Sequence, residues 1–284
     1  MARIAALIVA YYSSDDVVRL AANLAEPEVG GGNVIDTFVI DNSGDQTEAS
    51  ILGNVAYVRR FVPSAVNLGY GGGMNALASQ LEADYDWFLV CNPDIHFDAD
   101  SIAQLVASGE RNEKGALFGP RLVGDDGLVY PSARAFPSIR TGVGHALFAN
   151  LWPTNPWTTR YHASRNLSAD TDTAVDWVSG ACILVRPSAF REVAGFDETF
   201  FMYFEDVDLA WRLRKKGWLA FYVPKAHILH SGARSTSRAA TTMRKVHHRS
   251  AERYVSRKYS AWWLAPVRWV LRFALFVRRE FFRG

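Results

Sequence analysis

Apolar runs separated by polar, helix-like stretches fill the first part of the chain. Continuous apolar runs predict strands that are covered on both faces of a sheet. Residues 4–10, 55–58 and 87–91 are such runs, and strands are also predicted in the mostly apolar segments 34–40 and 116–123. Helices are predicted from about 14 to 25, after a serine cap, and from about 74 to 81. Strands that alternate with helices indicate an α/β fold with a mostly parallel central sheet.

Polar or glycine-rich segments follow the first four predicted strands. The carboxyl ends of parallel strands meet at one edge of a sheet, and ligands of such folds bind at that edge. The sequence therefore predicts a ligand site there. Its expected segments are Tyr11–Asp16, Asp41–Asp45, Asn67–Gly73 and Asn92–Asp94.

The second half of the chain is less regular. Residues 131–172 have no clean hydrophobic period, and we interpret them as an insertion near the site. Beyond them, strands are predicted at 175–185 and 218–223, and helices at 187–193 and 205–216.

Charge is distributed unevenly along the 284 residues. Residues 1–237 contain 19 Lys or Arg and 27 Asp or Glu, a net charge of −8. Residues 238–284 contain 12 and 2, a net charge of +10. We therefore expect one domain over residues 1–240 and a basic, aromatic, helical tail over 241–284. A tail of this charge indicates an anionic partner.

The sequence also bears on the compartment. Cys91 and Cys182 lie in apolar runs, and two distant cysteines make no disulfide framework, so two reduced core thiols in a reducing cytosol are expected. The apolar run Ile4–Ala10 precedes no cleavage pattern, which favours a first strand over a signal peptide. No uncharged apolar run of about 18 residues predicts a membrane span.

Asp41 and the glycine-rich segment are the first candidates for ligand binding. Asp41 ends a strand, where its carboxylate can accept a hydrogen bond from a nucleotide base or ribose, or simply form an Asx turn. The glycines of Asn67–Gly73 let the backbone approach a phosphate or sugar ahead of a helix, although a plain turn is the alternative.

A second candidate constellation consists of possible metal ligands. In a continued strand, Asn92, Asp94 and His96 would face the same way. A carboxylate at the carboxyl edge suits Mg²⁺ or Mn²⁺ bridging a diphosphate. A turn residue and a surface histidine are the alternatives. His227 or His230, after the last strand, can complete such a site.

The segment Phe204–Asp208 carries three carboxylates in four positions at the start of a predicted helix. Helix N-termini favour acids through the macrodipole, so these acids can be structural. The flanking aromatic residues, however, favour partial desolvation, in which Glu205 or Asp206 can act as a base.

The C-terminal tail combines arginines with Trp and Phe. This pattern is typical of a helix lying in a membrane interface; docking on the core or a dimer contact are the alternatives. No recognition motif supports nucleic acid as a partner. The arginines that share one helical face are Arg268, Arg272, Arg279 and Arg283.

Taken together, the motifs resemble the second family of inverting nucleotide-sugar glycosyltransferases, and within it bacterial rhamnosyltransferases. The resemblance covers roughly residues 3–236. It rests on Asp41-Asn-Ser, Asn67-Leu-Gly-Tyr-Gly, Asn92-Pro-Asp94, Gly180-Ala-Cys, Gly195-Phe-Asp-Glu, Phe204-Glu-Asp206 and His230.

The resemblance implies a GT-A fold, a divalent metal (Mg²⁺ or Mn²⁺) and direct displacement with inversion. It places Asp94 at the last acid of the family's Asp-x-Asp motif, whose first acid is Asn92 here. It places Asp206, beside Glu205, at the general base and His230 at a metal ligand. Trp177 and Gly180 are expected on the acceptor side. The expected nucleotide-binding residues are Ala10, Tyr11, Asp41, Asn67, Gly72 and Asn92.

The implied reaction moves a sugar, rhamnose from dTDP-rhamnose, to a hydroxyl of a lipid-linked or polysaccharide acceptor in cell-envelope glycan synthesis. We expect the protein at the inner face of the cell membrane, held by anionic lipid. Residues 231–242 are expected to order over the bound donor. A nucleotide-dependent oxidoreductase explains the glycines but not the acidic cluster, and a non-catalytic scaffold has no use for both Asp94 and Asp206.

Overall fold

The computed structural model describes residues 1–81, 84–138, 170–231 and 240–281, with the side chains of 240–242, 244 and 274–281 left aside. Most of the expected insertion at 131–172 and most of the expected mobile segment at 231–242 lie outside these residues.

The described residues form a mixed α/β structure around one large sheet. The strands are β1 Arg3–Ala10, β2 Val34–Asp41, β3 Val58–Pro63, β4 Trp87–Cys91, β5 Ile95–Phe97, β6 Gly115–Val123, β7 Val129–Tyr130, β8 Ala133–Arg134, β9 Thr173–Val175, β10 Trp177–Val178, β11 Cys182–Val185 and β12 Leu219–His230. The order of the strands in the sheet is β3-β2-β1-β4-β11-β6-β12-β5. In addition, β7 pairs with β6 and β9 pairs with β12, whereas β8 and β10 form a separate two-stranded sheet.

Helices cover the sheet and continue into the tail. They are α1 Ser14–Leu24, α2 Pro27–Gly30, α3 Gln46–Leu52, α4 Gly69–Ala78, α5 Ser101–Arg111, α6 Pro187–Glu192, α7 Glu205–Lys215, α8 Ala240–Lys258 and α9 Ala265–Phe281, with a 3₁₀ turn at Trp262–Leu264. None of these helices is long and apolar enough to cross a membrane in the part of the chain that the structure describes.

Strand direction determines which segments meet. β1 pairs in parallel with both β2 and β4, whereas β11 runs antiparallel between β4 and β6. β12 pairs in parallel with β6. The carboxyl ends of β1, β2, β4 and β12 therefore lie at the same edge as the amino end of β11. Alternate residues of β1 pack into two cores, one on each face of the sheet.

The α/β fold with a mostly parallel central sheet is confirmed. The strand expected at 87–91 is observed with these bounds as β4. The strand expected at 55–58 is wrong, because the edge strand β3 begins at Val58 and carries Arg59 and Arg60 in place of an apolar run. The strand expected at 175–185 is broken into β9, β10 and β11. The last strand runs on to His230 through a register shift with β6.

The glycine-rich segment is the largest correction to the expected elements. The predicted helix begins at Gly69, five residues before Met74, so the glycines belong to α4. A Cβ on Gly73 would lie 2.7 Å from Val9 Cγ2, and one on Gly71 would lie 2.8 Å from Phe196 Cβ. The glycines therefore allow α4 to pack closely against the sheet and the segment before α7.

α8 belongs to the helical tail expected over 241–284, and it packs against the body of the protein. Tyr254 is 1% exposed and packs in a cluster with Phe200 and Val207. The domain boundary at residue 240 stays a prediction. The tail helix that was expected to carry Arg268 and Arg272 on one face corresponds to α9.

Candidate active site

The predicted convergence of polar segments at one sheet edge is confirmed by the strand registers. Ala10 lies opposite Asp41 in the β1–β2 pair, and Cys182 lies opposite Cys91 in the β4–β11 pair. Beyond the last pair, the Asn92 N–H donates to Ala181 O at 2.9 Å. The chain segments that follow β1, β2 and β4 and precede β11 are therefore neighbours.

Asp41 closes an Asx turn at this edge. Its two carboxylate oxygens accept hydrogen bonds from Ser43 N at 2.9 Å and Ser43 Oγ at 2.7 Å, and the residue is 1% exposed. The N–H of Asn42, the next residue, donates to Ala10 O at 2.9 Å. Tyr11 is 48% exposed beside it. Asp41 thus fixes the loop at this end of the sheet, next to an exposed aromatic ring.

Asn67 and Gly72 belong to the start of α4. Asn67 Oδ1 accepts the Gly69 N–H at 2.9 Å, which satisfies one free amide of the first turn. Gly69 has a φ of +74°, and a Cβ there would lie 2.3 Å from Phe201 O. Gly72 is buried within the helix, where a Cβ would lie 3.2 Å from Leu68 Cβ. The segment is therefore a packed helix start, and not the open glycine loop that the sequence suggested.

Asn92, Asp94 and His96 do not share a face as expected. Pro93 and Asp94 form a turn between β4 and β5, so the strand register is lost before His96. His96 lies exposed on β5, paired with Leu229. The structure instead brings together Asp94 and His230, whose Oδ1 and Nε2 atoms are 3.4 Å apart.

The Asp94–His230 pair is mostly buried. Burial alone raises the pKa of Asp94, but the nearby His230 ring, assisted by the Asn92 side chain, holds that pKa below its ordinary value. Asp94 Oδ1 is buried and has no hydrogen-bond partner within the distance of a normal bond. Tyr130 lies over His230, with ring centroids 6.3 Å apart.

One carboxylate and one imidazole are donors that suit a divalent cation. Within the described ranges no three His, Cys, Asp or Glu side chains are grouped to hold a metal. His227 lies exposed on β12. Asp94 and His230 therefore fit a cation that takes its remaining ligands from substrate phosphates and water.

Glu205 and Asp206 open α7 at the same edge. Asp206 Oδ2 accepts the Gly180 N–H at 2.9 Å, and Oδ1 accepts the Val207 N–H at 2.8 Å. Burial raises the pKa of Asp206, while these N–H donors oppose the rise. Burial and the charge of Asp206 raise the pKa of Glu205 to about 8, and Glu205 Oε2 has no hydrogen-bond partner. The two N–H donors favour the charged form of Asp206, whereas Glu205 Oε2 has no such donor, so a proton held by the pair is favoured on Glu205.

Asp208, the third acid of the cluster, forms ion pairs away from Glu205 and Asp206. Asp208 is fully buried and forms ion pairs with Arg212 at 2.6 Å and Arg257 at 2.7 Å. It faces away from Asp206 on the helix and anchors α7 to the body and to α8. The spacing of the acids alone did not separate these tasks.

Gly180 forms hydrogen bonds with two residues of the site, whereas Trp177 bonds to the backbone outside it. Gly180 donates its N–H to Asp206 and accepts the Tyr70 hydroxyl at 2.6 Å. Trp177 Nε1 donates to Ala135 O at 3.1 Å. Sequence reasoning missed Tyr70. Its signal was an aromatic residue inside a glycine run, and burial raises the pKa of its hydroxyl, which keeps it a donor.

Sequence comparisons identify the family of the chain. The sequence profile described as glycosyl transferase family group 2 matches residues 142–279. The N-acetylglucosaminyl-diphospho-decaprenol L-rhamnosyltransferase of Mycobacterium tuberculosis is 43% identical over 228 residues, which cover 77% of this chain and 74% of that protein. The rhamnosyltransferase WbbL of Escherichia coli is 30% identical over 197 residues, covering 67% and 71%.

Solved structures bear on the fold alone. A mannosyltransferase from Pyrobaculum calidifontis, solved with GDP-Man and Mn²⁺, superposes with a TM-score of 0.62 at 10% identity, over 98% of this chain and 71% of that one. The expected GT-A fold is therefore confirmed. The chain belongs to the family 2 glycosyltransferases and resembles their bacterial rhamnosyltransferases.

Proposed function

We propose that the protein is an inverting, metal-dependent rhamnosyltransferase. It transfers rhamnose from dTDP-rhamnose to a hydroxyl of a lipid-linked N-acetylglucosaminyl diphosphate during synthesis of the cell envelope. The names of the relatives at 43% and 30% identity support the sugar, and the name of the first supports the acceptor. The site residues below are part of the same proposal.

One observation carries the proposal: neighbouring residues of one chain segment hold both Asp206 and the turn that carries Asp94. Asp206 accepts the Gly180 N–H, and the Asn92 N–H, two residues before Asp94, donates to Ala181 O. An inverting displacement needs a base at the attacking hydroxyl and a counter-charge at the leaving diphosphate. The two pairs supply these two functions on opposite sides of a bound sugar.

Asp206 acts as the general base. Two backbone N–H donors favour the ionised form of its carboxylate and fix its orientation. As the acceptor oxygen bonds to the anomeric carbon, its proton passes to Asp206, and the bond to the diphosphate breaks. Glu205 keeps its proton, so a second negative charge does not repel the ionised base. A positioned base typically contributes about 10²–10⁴-fold to such a reaction.

Asp94 and His230 would hold the divalent cation, which when bound stabilises the negative charge of the leaving diphosphate. Two neutral or singly charged protein donors leave the rest of the coordination to the diphosphate, as is usual for Mg²⁺ and Mn²⁺ at phosphate sites. The Mn²⁺ in the structure of the archaeal mannosyltransferase is consistent with this assignment.

In this proposal the nucleotide-sugar donor and the acceptor bind on either side of the Asp94–His230 and Glu205–Asp206 pairs. We assign the nucleotide to the edge formed by β1, β2 and the start of α4, where the ring of Tyr11 is exposed. The residues of this pocket are Ala10, Tyr11, Asp41, Asn67, Gly72 and Asn92. The acceptor enters along Trp177 and Gly180, next to Asp206.

The tail is assigned to the membrane surface. It exposes an aromatic and aliphatic patch, which we call the tail patch, on a segment with many basic residues. Contiguous apolar surface beside basic charge is typical of interfacial helices, and each basic residue adds about 1 kcal/mol on anionic lipid. The tail patch comprises Trp262, Trp263, Trp269, Val270 and Phe273, which are 64–80% exposed. The protein would thus lie on the inner face of the cell membrane, where its acceptor is.

The test is transfer from dTDP-rhamnose to a synthetic polyprenyl-diphospho-N-acetylglucosamine with Mn²⁺ or Mg²⁺, followed by mass spectrometry. Asp206→Asn should lower turnover by at least about 10²-fold and leave binding of dTDP within about twofold. Asp84→Asn, an exposed acid before β4 at the opposite sheet edge, is the control and should keep full turnover. Wild-type turnover in a folded Asp206→Asn protein contradicts the assignment of the base.

A further inference from the structure

The turn that leads into α7 has an unfavourable backbone. Tyr203 and Phe204, directly before Glu205, have φ values of +66° and +68°. Consecutive non-glycine residues in the left-handed region are unfavourable and persist only where surrounding contacts enforce them. The position of the first turn of α7, which carries Asp206, therefore depends on whatever holds this segment.

α8 provides these contacts on the outer side of the turn. Ser250 Oγ donates to Met202 O at 2.8 Å. The buried ring of Tyr254 packs against Phe204 with centroids 5.6 Å apart. The ring of His247 lies 5.4 Å from that of Phe204. Three successive turns of α8 therefore contact the segment Met202–Phe204 that precedes the acidic pair.

Arg257 adds a charged contact from the same helix to α7 itself. Its guanidinium bonds Asp208 Oδ1 at 2.7 Å and Asp197 Oδ2 at 2.5 Å. Asp208 is fully buried and lies two residues after Asp206. Arg212 also pairs with Asp208, so loss of Arg257 removes one of two compensating charges from this buried carboxylate and breaks its tie to α8. One side chain thus joins α8, α7 and the segment before the turn.

We propose that α8 positions the catalytic base, with Ser250 and Arg257 as positioning residues that act on Asp206 through the turn and through Asp208. Neither residue contacts the acidic pair in the described contacts. Their effect is on the placement of the Asp206 carboxylate relative to the acceptor hydroxyl. The proposal rests on the proposed function only for the assignment of Asp206 as base.

The placement matters because proton transfer requires contact at hydrogen-bond distance. A displacement of about 1 Å from a remote change can lower the rate about 10²-fold. The nucleotide pocket is built from β1, β2 and α4, elements that do not include α8. Loss of an α8 contact should therefore lower kcat and leave nucleotide affinity and the KM for the donor nearly unchanged.

The experiment compares four single variants: Ser250→Ala, Arg257→Met, Arg257→Lys and, as matched control, Arg249→Met, which changes an exposed arginine of α8. We expect kcat to fall about 10–100-fold in Arg257→Met and a few-fold in Ser250→Ala. The KM for dTDP-rhamnose and the Kd for dTDP with Mn²⁺ should stay within about twofold. Arg257→Lys, which keeps the charge, should recover part of the rate, and Arg249→Met should match the wild type.

A second measurement does not depend on sugar transfer. Hydrogen–deuterium exchange of the peptide covering residues 199–208 should become faster in Ser250→Ala and Arg257→Met and remain unchanged in Arg249→Met. Unchanged exchange, or faster exchange with wild-type kcat, overturns the proposal; so does a parallel loss of nucleotide binding, which indicates general unfolding. If the wild type binds dTDP but transfers no rhamnose, the proposed function fails, while the exchange result still decides whether α8 holds the turn.

Discussion

The buried carboxyl group of Glu205, whose Oε2 has no hydrogen-bond partner, should make the protein less stable as the pH rises. Burial and the charge of Asp206 raise its pKa from the ordinary 4.5 to about 8 in the folded chain. Between these values the unfolded chain has released the proton that the folded chain keeps, so the free energy of unfolding falls as the pH increases. The stabilisation is complete below pH 4.5 and lost above pH 8.

The magnitude follows from the two pKa values. At about 1.4 kcal/mol per pH unit, the interval corresponds to about 5 kcal/mol as an upper bound. Relaxation and water entry around a buried charge reduce it, so we expect roughly 2–5 kcal/mol. Glu205→Gln removes this loss, because an amide has the shape of the protonated acid and cannot ionise.

Urea denaturation followed by tryptophan fluorescence at pH 5, 6, 7 and 8.5 measures the difference. Near pH 5 the wild type and Glu205→Gln should have similar free energies of unfolding. By pH 8.5 the variant should be more stable by the amount given above. Glu110→Gln, a change of an exposed glutamate on α5, should follow the wild type at every pH. If Glu205→Gln also follows the wild type, Glu205 ionises without penalty and the account of the acidic pair is wrong.

Three further changes test other parts of the site. Asp94→Ala should weaken binding of dTDP at least about tenfold with Mn²⁺ and leave it unchanged in EDTA, with a smaller loss for His230→Ala, both measured by calorimetry. Truncation after Ser260 should abolish sedimentation with anionic vesicles and retain dTDP binding; equal sedimentation would assign the tail to packing. Tyr70→Phe removes the hydroxyl bonded to Gly180 O and should lower kcat a few-fold, as one neutral hydrogen bond contributes about 1 kcal/mol; an unchanged kcat would leave Tyr70 a packing residue.

The sequence predicted the central strands and the site edge well because both follow from simple regularities. β1 and β4 are covered on both faces and are almost continuously apolar, and β2 is buried from Thr37 to Asp41. The direction of parallel strands then brings Asp41 and Asn92 to one edge without further information. The edge strand β3 lacks this signal, since one of its sides is not covered by a neighbouring strand.

Long-range packing is what the sequence could not reveal. Gly71 and Gly73 look like a flexible loop until Phe196 and Val9 are seen to occupy the space of their missing side chains. Likewise, nothing in the spacing of the acids separates Asp208 from its neighbours. Its role depends on Arg257, 49 residues later in the chain.

The contacts of α8 also join the tail to the active site. Within the described residues, α9 is tied to this helix by the ion pair of Arg272 with Glu252 at 2.7 Å, and Arg268 donates to the carbonyls of Tyr259 and Ala261. The same α8 holds the turn before the acidic pair. If the tail patch rests on lipid, the orientation of α8 is fixed relative to the membrane, and so is that of the base. A lipid-linked acceptor, whose hydroxyl lies at a set height above the bilayer, then meets Asp206 at a defined position.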